Sequence, residues 1–131
     1  MYIAFTSVFV SDQDRAKKFY TDTLGFEDRT DAPMGDGLRW VSVGPPGERT
    51  EIVLSVEGFP GWSSEKVGIN TGGCLEVDDV FAAHQHFAAK GVEFTDGPRM
   101  EFFGGWASFK DCDGNEWGLH SPVRETAASK N

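Results

Sequence analysis

The stretch Cys74-Leu75-Glu76-Val77-Asp78-Asp79-Val80 restarts, midway along the chain, the pattern that Ser7-Val8-Phe9-Val10-Ser11-Asp12-Gln13 sets near its beginning. Each copy is an apolar strand that ends at Ser-Asp or an acidic pair, a sound helix N-cap, and each leads into a helix carrying aromatic residues. The helices also end alike, at Leu24-Gly25-Phe26 and Lys90-Gly91-Val92, where glycine supplies a left-handed C-cap at little steric cost. The strand starts align at an offset of 67 residues, so Asp12 matches Asp79 and Tyr20 matches Phe87. From Gly25 and Gly91 the offset is 66, and Trp40 matches Trp106. At 65 residues, Glu51-Ile52-Val53-Leu54-Ser55 matches Glu116-Trp117-Gly118-Leu119-His120. Drifts of one residue are loop-length changes, which a surface tolerates.

Working outward, residues 3–10 form an apolar strand, and residues 12–24 form a helix with Ala16, Phe19, Tyr20 and Leu24 on one buried stripe. A strand around 26–29, a turn-rich insert at 31–37, a strand at 38–43 and a strand at 50–56 complete a βαβββ unit. The second unit has a strand at 73–77, a helix at 79–90 and a strand at 92–95. A glycine-interrupted loop at 103–105, a strand at 106–110, a hairpin at 111–115 and a strand at 116–120 follow. The expected organisation is one domain over 1–131: module one at 3–56, a connection at 57–70, module two at 71–121, and a polar tail at 122–131 that frays.

At 131 residues the chain has room for one core. Its 39% hydrophobic content is ordinary for a globular protein, and no apolar run is long enough to cross a bilayer, so no membrane partner is expected. A net charge of −9 repels a phosphate backbone, which argues against nucleic acid. Met1-Tyr2-Ile3-Ala4-Phe5 has neither the basic region nor the cleavage pattern of a signal peptide, so the expected location is cytoplasmic. In that reducing compartment Cys74, in a strand expected to be buried, and Cys112, in a turn, are not expected to form a disulfide. Asp111-Cys112-Asp113-Gly114-Asn115 offers two carboxylates but lacks the spacing and distal Glu of a calcium loop; Asp-Gly between apolar strands is a tight hairpin signal.

Val10-Ser11-Asp12-Gln13-Asp14-Arg15-Ala16 with Phe19-Tyr20 and Leu24-Gly25-Phe26, then Glu76-Val77-Asp78-Asp79, Lys90-Gly91-Val92 and the 111–115 turn, resemble the vicinal oxygen chelate superfamily. This is the glyoxalase, bleomycin-resistance and extradiol dioxygenase group. The resemblance, over roughly residues 3–121, implies an α+β fold: two βαβββ modules related by a pseudo-twofold axis, with curled mixed sheets forming a cleft for a divalent metal and substrate. It implies metal ligands at an early position of each module's first strand and a late position of its fourth. Those four positions fall on Phe5, Val53, Gly72 and Gly118, none of which offers a donor. The expectation is therefore no metal and no other cofactor.

Strand alternation places Ser7 and Phe9 with Phe5, Glu51 and Ser55 with Val53, Cys74 and Glu76 with Gly72, and Glu116 and His120 with Gly118. Expected ligand-binding residues are Phe5, Ser7, Phe9, Trp40, Val53, Cys74, Trp106, Gly118 and His120. Glu51, Glu116 and His120 are the catalytic candidates if there is turnover. The two glutamates either face a cleft or stand at exposed strand starts, and His120 is an acid, a base or a solvated strand end. His84 and His86, two apart on a helix, point in different directions and suit no shared metal. Trp40, Trp62, Phe102, Phe103 and Trp106 supply more flat apolar surface than one small core needs.

The favoured expectation is a metal-free family member that binds a small organic molecule, aromatic or antibiotic-like, as the drug-sequestering branch does, with a homodimer implied by the resemblance. The alternatives are a metal-dependent lyase, isomerase or dioxygenase with a rearranged site, a metal-independent epimerase-like enzyme, and a partner-binding module with a closed cleft.

Overall fold

The computed structural model describes residues 1–124 and divides into two compact units. The first is Met1–Thr71 with Asp111–Asn115; the second is Gly72–Lys110 with Glu116 onward. Part of the expected tail, residues 125–131, lies outside the described residues.

The first unit runs β1 (Phe5–Phe9), α1 (Gln13–Lys18), β2 (Glu27–Gly35), β3 (Leu38–Gly44) and β4 (Glu51–Ser55). Its sheet has the order β1-β4-β3-β2, with β1 parallel to β4 and the other pairs antiparallel. The Asp12 carboxylate accepts from the Arg15 amide at 3.1 Å and starts α1, as the N-cap pattern predicts. The helix widens into a π-turn over Phe19–Thr23 and stops before Gly25, whose φ of +78° is the predicted left-handed position. One face of the sheet buries Val8, Val10, Val41, Val43, Ile52 and Leu54 against Ala16 and Tyr20 of the helical segment. Gln13 is buried there too, and its amide donates to the carbonyls of Arg39 and Leu54 at 2.9 Å each, which satisfies it.

The turn-rich reading of 31–37 is corrected: residues 31–35 continue β2, and only Asp36–Gly37 turn into β3. Because β2 is an edge strand, Pro33 costs the ladder nothing on its open side, and bulges near Arg29 and Met34 absorb the irregularity. Its acidic residues form ion pairs instead of a turn, Asp31 bonding Arg39 and Lys17 at 2.9 Å each. These cations, Arg39 first, hold the Asp31 carboxyl at about 2.

The turn Asp111–Asn115 makes its contacts in this first unit. The Asp111 carboxylate receives the Tyr20 hydroxyl at 2.6 Å and the Asp113 and Asn115 amides at 2.9 Å each. Asn115 donates to the Phe9 carbonyl at 2.9 Å and accepts from the Gly68 amide at 2.7 Å. Arg15 pairs with Asp113 at 2.7 Å. The predicted tight hairpin is thus also a buried polar hub. The Cys112 thiol within it is pushed up to about 11 by burial and by Asp111 and Asp113, which keeps it protonated.

The second unit's sheet has the order β5-β8-β7-β6, from β5 (Asn70–Glu76), β6 (Glu93–Glu101), β7 (Gly104–Lys110) and β8 (Glu116–Ser121), with α2 (Val80–Ala89) between β5 and β6. Asp79 caps α2 by accepting from the Phe81 and Ala82 amides at 2.9 and 3.3 Å, repeating Asp12. Val80, Val92, Ala107, Phe109, Trp117 and Leu119 are its buried apolar residues. His84 packs edge-on against Phe94 at 4.4 Å while His86 is exposed, so the two diverge as predicted.

Two readings are corrected here. The strand expected at 92–95 runs to Glu101, because β6 is an edge strand that tolerates Pro98. The expected loop at 103–105 shrinks, because Gly104 and Gly105 belong to β7 and lack the side chains that would strike Ser121 and Val80. Among the described residues no helix is long and apolar enough to cross a membrane. The chain is thus α+β, with two similar modules of one four-stranded sheet each.

Candidate functional site

Each sheet has one face against its helix and one that is not, and the candidate residues stand on the latter. In the first unit the register aligns Phe5 with Glu51, Ser7 with Val53 and Ser42 with Val53. Phe5, 50% exposed, sets its ring edge-on to Trp40 at 5.2 Å. Phe59, from the connection, lies nearly parallel to the other part of that cluster, 6.5 Å from Trp40 at 28°. The connection is tied back by the Trp62 indole, which donates to the Val10 carbonyl at 3.1 Å. Ser7 is exposed, Phe9 half-buried and Val53 buried.

Glu51 is half-buried, and the Ser42 hydroxyl donates to its carboxylate at 2.5 Å. Ser42 itself is fully buried, so this bond both satisfies the hydroxyl and fixes the carboxylate on the aromatic face. Ser42 and Phe59 were not singled out by sequence. For Ser42 a signal existed, since at an offset of 66 it matches Ser108, which is also buried and bonds the Thr95 hydroxyl at 2.8 Å.

In the second unit Trp106 pairs across the ladder with His120, and Ser108 with Gly118. The six-membered ring of Trp106 takes the space above Gly118: a Cβ there would lie 2.6 Å from Cη2 and 3.3 Å from Cys74 Sγ. Trp106, Gly118 and Cys74 are therefore brought together. Cys74 is exposed, not buried as expected; β5 is an edge strand and alternation turns this residue away from α2. Partial desolvation and Glu76 raise its thiol pKa, which argues against a thiolate.

His120 Nδ1 is 2.6 Å from a Glu76 carboxylate oxygen, and Nε2 is 2.8 Å from the Phe103 carbonyl. A carbonyl only accepts and an ionised carboxylate only accepts, so both ring nitrogens donate and the imidazolium is favoured. The His120 pKa is raised above 6.5 by the Phe103 carbonyl first and then by Glu76. Phe103 lies parallel to His120 within 17° and edge-on to Trp106. Glu116 pairs with Lys110, four residues before His120 on the same strand and so about 13 Å away at strand rise. Glu116 and His120 do not form a pair.

The four positions where the resemblance places metal ligands do not fit a metal. Phe5 is packed on Trp40, Val53 is buried hydrocarbon, Gly72 has no side chain, and the space at Gly118 is filled by indole. Among the described residues, no three His, Cys, Asp or Glu side chains converge as a metal site would require.

The family model described as Glyoxalase/Bleomycin resistance protein/Dioxygenase superfamily matches residues 2–119. The uncharacterized protein YetH of Bacillus subtilis (strain 168) is 34% identical over 114 residues, 86% of this chain and 92% of YetH. The crystal structure of TnmS3, an antibiotic binding protein from Streptomyces sp. CB03234, superposes with a TM-score of 0.81 at 37% identity, covering 94% of this chain and 97% of that one. A superfamily member from Sphaerobacter thermophilus DSM 20745 gives a TM-score of 0.82 at 35% identity, covering 92% and 97%. The repeated strand–cap–helix plan, the two four-stranded sheets and these matches together place the chain in the glyoxalase/bleomycin resistance protein/dioxygenase superfamily.

Proposed function

We propose that the protein binds a small, flat organic molecule on the aromatic faces of its sheets, that it does so without a metal, and that binding rather than turnover is its role. The observation that carries this reading is the replacement of all four ligand positions by groups without donors, beside Trp40 and Trp106. Flat apolar walls with a few polar groups suit a planar ligand. Glu51 and Glu76 stand on those faces and the net charge is −9, so a ligand with a cationic or hydrogen-bond-donating group is favoured. The 37% identity to an antibiotic binding protein supports the same reading. The protein acts as a homodimer in this proposal, checked by sedimentation equilibrium at micromolar concentration; a monomer there removes that part.

Titration of the full chain with proflavine, a planar cation, and with 9-anthracenecarboxylate, a planar anion, tests binding. Saturable binding is expected, tighter for proflavine and weakened about tenfold or more by Trp40→Ala or Trp106→Ala. Absence of binding to both probes overturns the reading. Dialysis against Zn²⁺, Ni²⁺, Mn²⁺ and anaerobic Fe²⁺, followed by metal analysis, is expected to leave no stoichiometric metal. One retained ion per chain would restore the metal-dependent alternative.

A further inference from the structure

Glu51 and Glu76 both stand on open sheet faces, and different groups hold them. Glu76 faces the His120 imidazolium at 2.6 Å, so its charge is already met. Glu51 is held by a neutral group, the Ser42 hydroxyl, which donates to Oε1 at 2.5 Å. Among the described residues Glu51 makes no ion pair, and its other oxygen, Oε2, accepts no hydrogen bond. No buried side-chain oxygen among those residues lacks a partner, so Oε2 is open to solvent.

The register puts Glu51 among aromatic rings. Phe5 is its partner on β1, and the Phe5 ring lies edge-on to Trp40 at 5.2 Å. Ser42 follows Trp40 by two residues on β3 and so shares its face. Because Ser42 is fully buried, its hydroxyl has no water to turn to; it fixes Oε1 and leaves Oε2 as the accessible half of the carboxylate. The neighbouring cations are committed elsewhere. Arg29, beside Gly44 at the end of β3, bonds the Pro45 carbonyl at 2.7 Å and faces Glu27 at 3.5 Å. Arg49 lies over the Tyr2 ring at 4.4 Å. Module two does not repeat the arrangement, since Ser108, the match of Ser42 at an offset of 66, bonds the Thr95 hydroxyl instead.

We infer that Glu51 is the specificity-determining carboxylate of the module one face: its Oε2 receives a cationic N–H group at the edge of a flat ring system lying against Phe5 and Trp40. The ligand class is a protonated aromatic amine or amidine, whose N–H supplies both the charge and the hydrogen bond that Oε2 lacks. A quaternary cation brings the charge without the bond. This rests on the binding reading above and adds to it which carboxylate selects the ligand and through what group.

The test titrates proflavine and 9-anthracenecarboxylate into the full native chain, Glu51→Gln and Glu48→Gln. Glu51→Gln keeps an acceptor for Ser42 and removes the charge; it is expected to weaken proflavine binding about tenfold and to leave 9-anthracenecarboxylate no weaker. Glu48→Gln, in the exposed connection between β3 and β4, removes the same unit of net charge and is expected to change proflavine affinity less than about threefold. A Glu51→Gln variant that binds proflavine as the native chain does, that loses both probes alike, or that is matched by Glu48→Gln overturns the role of Glu51 while the binding reading survives. If Glu51→Gln does not fold, the native chain decides. It is expected to bind 9-aminoacridinium at least about tenfold tighter than 10-methylacridinium, a planar cation with no N–H, and equal affinity overturns the proposal. Failure of the native chain to bind either proflavine or 9-anthracenecarboxylate overturns both readings.

Discussion

The two modules share a backbone plan and differ in what stands on the open sheet face. Asp12 and Asp79 cap the two helices through the same kind of bond, and Gly25 and Gly91 follow them with positive φ values of 78° and 91°. Their tryptophans, Trp40 and Trp106, occupy matching strand positions. Yet Trp40 is set by the rings of Phe5 and Phe59, and Trp106 by the edge of Phe103 and by the lack of a side chain at 118. Backbone geometry limits which residues can cap or turn, so the repeat keeps those residues alike. An open face carries no such limit, and there the copies diverge.

Exchanging residues between the modules tests this comparison most strongly. Gly118→Val installs the module one residue under Trp106, which has to move; a loss of about 3 kcal/mol is expected in chemical denaturation. Val53→Ala in module one opens a cavity instead, with a loss of about 1–3 kcal/mol. A neutral Gly118→Val would mean that Trp106 is not fixed against the strand, and the contrast between the two tryptophans would collapse. Next comes Tyr20→Phe, for which module two has Phe87 at the matching position. It deprives the buried Asp111 carboxylate of one donor, and a loss of about 1–2 kcal/mol is expected by the same measurement. No loss would mean that the remaining donors on Asp111 suffice.

The smallest effect sharpens the view of module two. Because the folded-state pKa of His120 is raised, its contribution to stability is complete below the unfolded value, near 6.5, and is lost as pH rises through the folded value. The His120 ring is expected to titrate above pH 6.5 by NMR, and His120→Gln is expected to flatten that part of the stability profile. Titration at or below 6.5 would contradict the two-donor geometry.

Much of this was legible in the sequence because it is local. A cap residue, a C-terminal glycine and strand alternation act over a few positions, and the helices and most strands follow from them. Strand order is not local. Edge positions for β2 and β6 let Pro33 lie inside a strand where a turn-rich insert was expected and Pro98 lie inside a strand expected to end at residue 95, and the edge position of β5 exposes Cys74. On the candidate faces, alternation grouped Phe5, Ser7, Val53, Cys74, Gly118 and His120 by face. It could not supply Phe59, which comes from an aperiodic connection.

The polar hub at 111–115 bears on how the chain is made. The first unit is not a continuous segment: Tyr20 and Phe9 find Asp111 and Asn115 only across 91 and 106 residues of sequence. During synthesis the N-terminal strands and helix can gather early, but their last polar contacts wait until residue 115 has left the ribosome. Contacts this distant in sequence close late and slow folding. A nascent chain halted at residue 71 should therefore be more susceptible to protease than the same residues in the finished protein.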